Sequence, residues 1–170
     1  MSSHTATGAG PARQSAVPTL DRVDRRILEE LAADGRIPVA TLAERAGISR
    51  AAAYTRLDSL RQSGVIEGFT VRVNPARLGL GVTALILISG RQPAWRSLRE
   101  RLASFPEVEY CAFTTGEYDA LALVRVRDVE TLRDVVLERL QASAEVRATQ
   151  TIFVLEEVVR RPLVLPASDR

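Results

Sequence analysis

The break between two helical patterns, Ala46-Gly47-Ile48-Ser49, constrains the fold of this chain more than any other feature. Gly47 can adopt the positive φ that ends a helix, and the Ser49 hydroxyl can cap the helix that follows. A helix, a short turn with glycine and a second helix form a helix-turn-helix, whose second helix commonly enters the major groove of DNA. The same pattern also fits a helical hairpin that binds nothing, so the break alone leaves both interpretations open.

Apolar residues at helical spacing predict three helices around this break, at about Asp21–Ala33, Val39–Ala46 and Arg50–Gln62. Pro38 fits the start of the second helix. The inward-facing positions are Val23, Ile27, Leu28 and Leu31 in the first helix, Val39, Leu42, Ala43 and Ala46 in the second, and Ala53, Leu57 and Leu60 in the third. Short amphipathic helices of this kind bury their apolar stripes against one another and form a small helical domain.

The face of the third helix opposite its apolar stripe is small and polar, with Ala51, Thr55, Asp58, Ser59 and Gln62. Thr55 can meet a base edge, and flanking arginines suit phosphate contacts, whereas the DNA backbone would repel Asp58. The predicted DNA contacts are Ser49, Arg50, Ala51, Tyr54, Thr55 and Arg56. For Arg56 the alternative is an ion pair on the protein surface.

The segment after the third helix alternates apolar and polar residues over Val65–Val73, which predicts a short strand pair or wing. Asn74-Pro75 ends this pattern, because proline cannot donate to a strand ladder. Residues 75–81 then resemble a hinge between two domains.

The second half of the chain predicts four strands and two helices in the order βαββαβ, a ferredoxin-like arrangement. The strands are expected at Val82–Ser89, Val108–Thr115, Tyr118–Arg127 and Val146–Val159, and the helices at Pro93–Ser104 and Asp128–Leu140. The helix positions expected to face the sheet are Trp95, Leu98, Leu102 and Phe105, and Val129, Leu132, Val136 and Leu140. Two helices cover one sheet face only, and the strands are apolar on both faces. We therefore expect a second copy of the chain to cover the open face in a homodimer.

Composition excludes several classes of protein. One cysteine, Cys111, and one histidine, His4, leave almost no material for a disulfide framework, a His/Cys metal site or Cys-His catalysis. No apolar run spans a membrane and no signal-peptide core is present, so we expect a cytoplasmic protein without a membrane partner. The net charge of +2 means that any affinity for nucleic acid comes from local placement of arginines.

Taken together, these stretches resemble the Lrp/AsnC family of prokaryotic transcription regulators, the feast/famine regulatory proteins. The resemblance is carried by LDRVDRRILEELAADGR in the first helix, LAERAGIS in the second helix and turn, Arg56-Leu57 and Gly64 to Phe69 after them, Thr115 to Asp119 at a predicted turn, and Thr149 to Thr151 running into Glu156-Glu157-Val158. It covers roughly Leu20 to Arg161. The chain departs from the family where Glu117 replaces a more usual Asp, and where Thr55, Asp58 and Ser59 replace residues that are often basic.

The resemblance implies dimers that bind double-stranded DNA and often assemble into tetramers or octamers, and a small-molecule effector such as an amino acid. It places the effector beside Thr114, Thr115, Gly116, Glu117, Tyr118 and Asp119, with Thr149 and Thr151 approaching from the last strand. A carboxylate such as Asp119 can pair an α-ammonium group, and free backbone N–H groups can hold an α-carboxylate. From the residues alone, an ordinary hairpin turn is the favoured interpretation of Gly116-Glu117, because turns of this composition are common.

The sequence thus predicts an α+β protein with a winged helix-turn-helix and a ferredoxin-like domain for effector binding and oligomerisation. The expected boundaries are a flexible tail at 1–18, the DNA-binding domain at 19–74, the hinge at 75–81, the effector domain at 82–161 and a tail at 162–170. The function expected is an effector-responsive, sequence-specific DNA-binding regulator without a cofactor. The alternative is a metabolite-binding oligomer with weak or lost DNA binding. An enzyme is disfavoured, because Glu107, Glu109 and Glu117 make no convincing acid/base pair.

Overall fold

The computed structural model describes residues 18–91, 95–159, 163 and 165. The two predicted tails lie almost wholly outside these residues. The chain forms two compact units, Met1–Val71 with Arg161–Arg170, and Arg72–Arg160. Within the described part of the chain, none of the helices combines the length and apolar character that a bilayer crossing requires.

The first unit contains the three predicted helices, α1 (Arg22–Ala33), α2 (Val39–Ala46) and α3 (Arg50–Gln62). Asp21 lies just before α1 and caps it, because its side chain accepts a hydrogen bond from the backbone N–H of Asp24 while the Asp24 side chain accepts one from Asp21. Gly47 ends α2 at φ +69°, and the Ser49 hydroxyl oxygen accepts from the N–H of Ala52 at 3.2 Å. The helix-turn-helix prediction is confirmed to the residue at α2 and α3.

The core of this unit combines residues of the predicted apolar stripes with Ile37 from the loop between α1 and α2, which the helical pattern does not include. Its buried side chains are Ile27, Leu28, Ile37, Leu42 and Leu60. Partly buried side chains packed against them are Leu20, Val23, Leu31, Ala46, Ile48, Leu57, Val65, Ile66 and Leu165. Leu165 comes from the far end of the chain, so the core of the first unit is not made from one continuous segment.

An ionic cluster joins α1 to α2. The carboxylate of Glu30 is almost fully buried and contacts the guanidinium groups of Arg26 and Arg45, each at 2.7 Å. A carboxylate removed from water needs such partners, because leaving it unpaired would cost several kcal/mol, about 3–5 by analogy with other broken buried pairs.

Val65–Val73 was predicted as a short strand pair or a wing; the strand pair is wrong, since these residues form no strand in the structure. Phe69, Val71 and Val73 are 55%, 80% and 54% exposed. A two-stranded ribbon without packing on either face is marginal in water, which explains why alternation alone does not make one here. The predicted hinge contains a short 3₁₀ helix, Pro75–Leu78.

The second unit is a four-stranded antiparallel sheet in the order β2-β3-β1-β4, with β1 (Val82–Gly90), β2 (Val108–Phe113), β3 (Ala120–Val126) and β4 (Val146–Phe153). Two helices complete it: α4 (Trp95–Ala103), and α5 (Val129–Arg133), which continues as a wider π-helical segment, Asp134–Gln141. The predicted α+β class and ferredoxin-like order are confirmed.

The helices cover one face of the sheet only. Buried residues on that face include Ile86, Ile88, Val124, Leu98 and Leu140. The uncovered face, called the open face below, carries the alternate strand positions Leu85, Leu87, Leu121, Leu123 and Ile152, which are half-buried or exposed. At one end of it Arg125 is buried and donates hydrogen bonds to Thr83, Glu109 and Glu157.

Two predictions for this unit are wrong in detail. Val129 was expected to face the sheet but is 58% exposed at the start of α5, and Val135 is buried instead. The π-helical segment has more residues per turn than an α-helix, which changes which positions face inward. β4 ends at Phe153 and not at Val159, because the last ladder bond runs from the N–H of Val154 to the carbonyl of Thr83, where β1 itself begins.

Candidate functional site

The face of α3 opposite its core stripe is open to solvent. Ala53 and Leu60 are buried, while the exposed positions are Arg50, Ala51, Tyr54, Thr55, Asp58, Ser59, Arg61 and Gln62. The outward face expected from the helical wheel is therefore the one that the structure exposes. A helix anchored on one stripe and free on the other has the shape that fits a major groove.

The first two turns of α3, with the capping residue Ser49, hold the predicted DNA contacts. The guanidinium of Arg50 lies 5.8 Å from the centroid of the Tyr54 ring, and Tyr54 is 47% exposed. The Ser49 hydroxyl oxygen is engaged as the helix cap. The Thr55 hydroxyl donates to the carbonyl of Ala51 at 3.1 Å, so towards a ligand it offers a methyl group and an acceptor.

Arg56 points towards α1. Its Nη1 lies 2.6 Å from Oδ2 of Asp21 and 2.7 Å from Oδ1 of Asp24. Hydrogen bonds to Asp24 and then Asp21 raise the pKa of Arg56, and the carboxylates shield it from other anions. The ion pair weighed as the alternative for Arg56 is thus present, and its partners lie at the N-terminus of α1. The contact between Arg56 and DNA stays a prediction.

The candidate effector residues form a closed turn between β2 and β3. The Thr114 hydroxyl donates to the carbonyl of Tyr118 at 2.6 Å, and the Thr114 N–H donates to the carbonyl of Asp119 at 2.9 Å. Gly116 takes φ +122°, a conformation that favours glycine. Oδ2 of Asp119 accepts a hydrogen bond from the N–H of Gly90 at 2.7 Å, which fixes the carboxylate at the end of β1.

Tyr118 reaches across the sheet to a residue that the sequence analysis did not select. Its hydroxyl donates to Oε1 of Gln150 on β4. Gln150 pairs with Leu87 and so lies on the open face. Strand alternation could have indicated Gln150 from the sequence. In Thr149-Gln150-Thr151 the middle side chain faces the opposite side of the sheet from its two neighbours.

Thr149 and Thr151 lie on the helix-covered side of β4. They pair with Ile88 and Ile86, which belong to the core under the helices. The Thr149 hydroxyl oxygen accepts from Nε2 of Gln141, at the end of the π-helical segment, at 2.7 Å. The structure therefore does not bring these two threonines to the Tyr118 hydroxyl.

Aromatic and cationic groups lie next to the turn. Phe113, the last residue of β2, contacts the Trp95 ring at 5.2 Å between centroids, and the Arg99 guanidinium lies 5.6 Å from the Phe113 centroid. Phe113 pairs with Ala120 and packs against the core, so these groups lie on the helix-covered side of the sheet, opposite the face that holds Gln150.

Comparison with known proteins matches both units. Residues 83–164 match the Lrp/AsnC ligand binding domain, and residues 20–67 match a winged helix-turn-helix DNA-binding domain. The chain is 39% identical over 142 residues to the HTH-type transcriptional regulator AldR of Mycolicibacterium smegmatis, covering 82% of this chain and 83% of that protein.

Solved structures agree. A transcriptional regulator of Neisseria meningitidis, determined as a complex with L-Met, superposes with a TM-score of 0.83 at 30% identity, covering 86% of this chain and 97% of that one. AsnC of E. coli superposes with a TM-score of 0.81 at 31% identity, covering 86% and 99%. Both domains, their order and the fold are shared with these regulators, and the chain belongs to the Lrp/AsnC family of transcriptional regulators.

Proposed function

We propose that this chain is a homo-oligomeric transcriptional regulator that binds double-stranded DNA through α3 and responds to an amino acid or a related metabolite. The observation that carries the proposal is the solvent-exposed stripe of α3, in a helix-turn-helix with a packed apolar core and with Ser49 as the cap of α3. A regulator of chromosomal genes works beside the chromosome, so we infer a cytoplasmic location.

The exposed stripe supports docking in the major groove with modest affinity for each domain. Arg50 and Tyr54 stand in the first two turns of α3, and the N-terminal residues of a recognition helix are the ones that usually meet base edges. Arg56 is neutralised by two carboxylates, and Asp58 adds a negative charge to the same face. Several domains that bind together would then supply the useful affinity.

The β2–β3 turn supports an effector site for an amino acid. Asp119 holds its carboxylate at the end of β1 through the N–H of Gly90, and its other oxygen is suited to an α-ammonium group. The L-Met complex of the Neisseria meningitidis relative favours an amino acid here as well. The proposed border of the effector site consists of residues 114–119 and Gln150. The roles of Thr149 and Thr151 in effector binding remain predictions.

The open face of the sheet supports a dimer formed by two copies of the chain. Leu85, Leu87, Leu121 and Leu123 make a continuous apolar patch on strands that are well ordered by their ladders. Apolar patches of this kind mark interfaces in regulators that work as symmetric oligomers. A dimer would present two copies of α3 to successive major grooves.

A mobility-shift titration with the full chain and the DNA upstream of its own gene tests the function. We expect a salt-sensitive shift that a scrambled sequence of equal length does not give, because phosphate contacts carry salt dependence and base contacts carry specificity. Repeating it with each of the twenty amino acids, L-Met included, is expected to change the affinity or the size of the complex for at least one.

Absence of any sequence-dependent shift would contradict DNA recognition. Heat of amino-acid binding in calorimetry without such a shift would favour the alternative, a metabolite-binding oligomer. Sequence-dependent binding that none of the amino acids alters would contradict the proposed effector class only.

A further inference from the structure

Asp58 presents a carboxylate on the exposed stripe of α3, one turn beyond Tyr54 and Thr55. Among the residues that the structure describes, no ion pair or side-chain hydrogen bond engages this carboxylate. Arg61 is three positions further along the helix, a spacing at which ion pairs form, yet the two do not pair. Arg56 is held by Asp21 and Asp24 on α1. Asp58 is therefore a charged group available on the face that we expect to meet DNA, in the C-terminal half of α3.

A carboxylate in this position has few favourable partners on a duplex. It only accepts hydrogen bonds, and the phosphate oxygens have no proton to donate. In the major groove the donors are the amino groups of cytosine N4 and adenine N6. Adenine places the N7 acceptor beside its amino group, whereas cytosine has no acceptor on that edge. Cytosine is thus the base that a lone carboxylate fits best.

We propose that Asp58 is a specificity-determining residue, which accepts a hydrogen bond from the N4 amino group of a cytosine in each half-site. The inference rests on the proposed function, because it requires α3 to lie in the major groove. Guanine or thymine at the same place would put a carbonyl oxygen against the carboxylate, and that repulsion would reject them.

The neighbouring polar groups leave this role to Asp58. The Thr55 proton is committed to the carbonyl of Ala51, so Thr55 meets the groove with a methyl group and an acceptor. Ser59 and Gln62 are exposed but uncharged; a hydroxyl can meet several bases, and an amide fits adenine rather than cytosine. A group that only accepts is the one that discriminates most sharply, since every groove acceptor opposes it.

Selection of binding sites from a random DNA pool tests the proposal with the full chain as wild type, Asp58→Ala and Asp58→Asn. We expect a fixed cytosine in each half-site of the wild-type motif. Asp58→Ala should make that position degenerate, with roughly a tenfold loss of discrimination, the usual effect of one base contact. Asp58→Asn should replace cytosine by adenine, because an amide pairs with adenine N6 and N7.

Glu44→Gln is the matched control for charge. Glu44 is exposed on α2, so the variant removes the same charge from the same unit and should keep the wild-type motif. Thermal unfolding should show that all three variants fold, since both positions are exposed on helices. The asparagine of Asp58→Asn has nearly the shape of the wild-type side chain. This variant therefore still tests the proposal if Asp58→Ala alters the helix.

Three results would overturn the proposal. In the first, both Asp58 variants bind every sequence more tightly and keep the wild-type motif, so that the carboxylate acts only by repulsion. In the second, the position that loses its preference is one where the wild type selects a base other than cytosine. In the third, the wild type selects no motif at all, a result that removes the proposed function together with this inference.

Discussion

At the scale of single residues, Arg56 shows how a cation on a recognition helix can be occupied by its own domain. Helical periodicity placed it on the flank of α3 and left two roles open. Its partners, Asp21 and Asp24, precede it by 35 and 32 residues, a separation at which no periodic pattern links residues. The choice between DNA and ion pair therefore needed the three-dimensional packing of α1 on α3.

Arg56→Ala is expected to lower the stability of the helix-turn-helix unit by ~1 kcal/mol, since the three side chains are partly exposed and the ion pairs are screened. For a domain of this size that is a fall of roughly 4–8 °C in its melting temperature. Circular dichroism during heating measures the change. If the ion pair is the whole role of Arg56, DNA affinity should fall only as far as the folded fraction does.

Arg50→Ala is the matched control, because Arg50 is exposed on the same helix and contacts only the Tyr54 ring among its described neighbours. It should leave the melting temperature nearly unchanged and weaken DNA binding. A variant at Arg56 that melts like the wild type but binds DNA more weakly would show that Arg56 contacts phosphate instead.

At the scale of the element, the N-terminus of α1 combines a reciprocal cap with an ion pair. The backbone N–H of Asp24, with Arg56 as a further partner, holds the pKa of Asp21 below its ordinary value of 3.8. A carboxyl group whose pKa is lowered in the folded state stabilises that state at pH values above the pKa it has in the unfolded chain. This contribution is lost as the pH falls through the pKa of the folded state.

Asp21→Asn is therefore expected to flatten the acid side of the stability curve. Asparagine still caps a helix but does not titrate, so the wild type should lose stability more steeply than the variant as the pH falls below about 4. Denaturant unfolding at a series of pH values measures the difference. Asp21→Ala also removes the cap and should be less stable by ~1 kcal/mol at neutral pH as well. Parallel pH curves for wild type and Asp21→Asn would contradict this account.

The elements also show where sequence patterns suffice. The bounds of α2 and α3 are predictable because Gly47 and Ser49 act within one turn of the backbone. The end of β4 is not, since a strand lasts only as long as its neighbour, and β1 begins at Val82. For the same reason the alternating segment after α3 forms no strand without a partner.

At the scale of the whole molecule, the open face of the sheet is the surface that we expect two copies to share. Leu123 lies within it, with Leu85 on one side and Tyr110 on the other. Leu123→Asp should convert the dimer to monomer, because a charge opposed by its own copy in a symmetric interface is strongly unfavourable. Light scattering after size-exclusion chromatography gives the mass directly.

Leu137→Asp is the control for that experiment. Leu137 is 49% exposed on the π-helical segment, on the other side of the sheet, and its replacement should leave the oligomer intact. The monomer made by Leu123→Asp should also bind DNA much more weakly, because the two recognition helices no longer act together. An unchanged mass for Leu123→Asp would show that the dimer forms elsewhere.

The class of the fold could be predicted from the sequence. The alignment of distant strands, which brings the effector-site residues together, could not. The order βαββαβ follows from hydrophobic periodicity, and two helices on four strands leave one face open on any such chain. The effector turn was located by resemblance, but the Tyr118–Gln150 contact depends on how β4 aligns beside β1. Alignment of strands that are distant in sequence is a property of the packed sheet and not of any short segment.

The position of Leu165 bears on how this protein can be rebuilt. It packs against the core of the helix-turn-helix, although the whole sheet unit, Arg72–Arg160, lies between them in the chain. DNA-binding domains can be exchanged between related regulators to make chimeras. A chimera that receives only the segment up to Val71 would lack Leu165, which packs against the core of that segment. The unit to be transferred consists of two segments, the one up to Val71 and the one that contains Leu165, and a chimera should carry both.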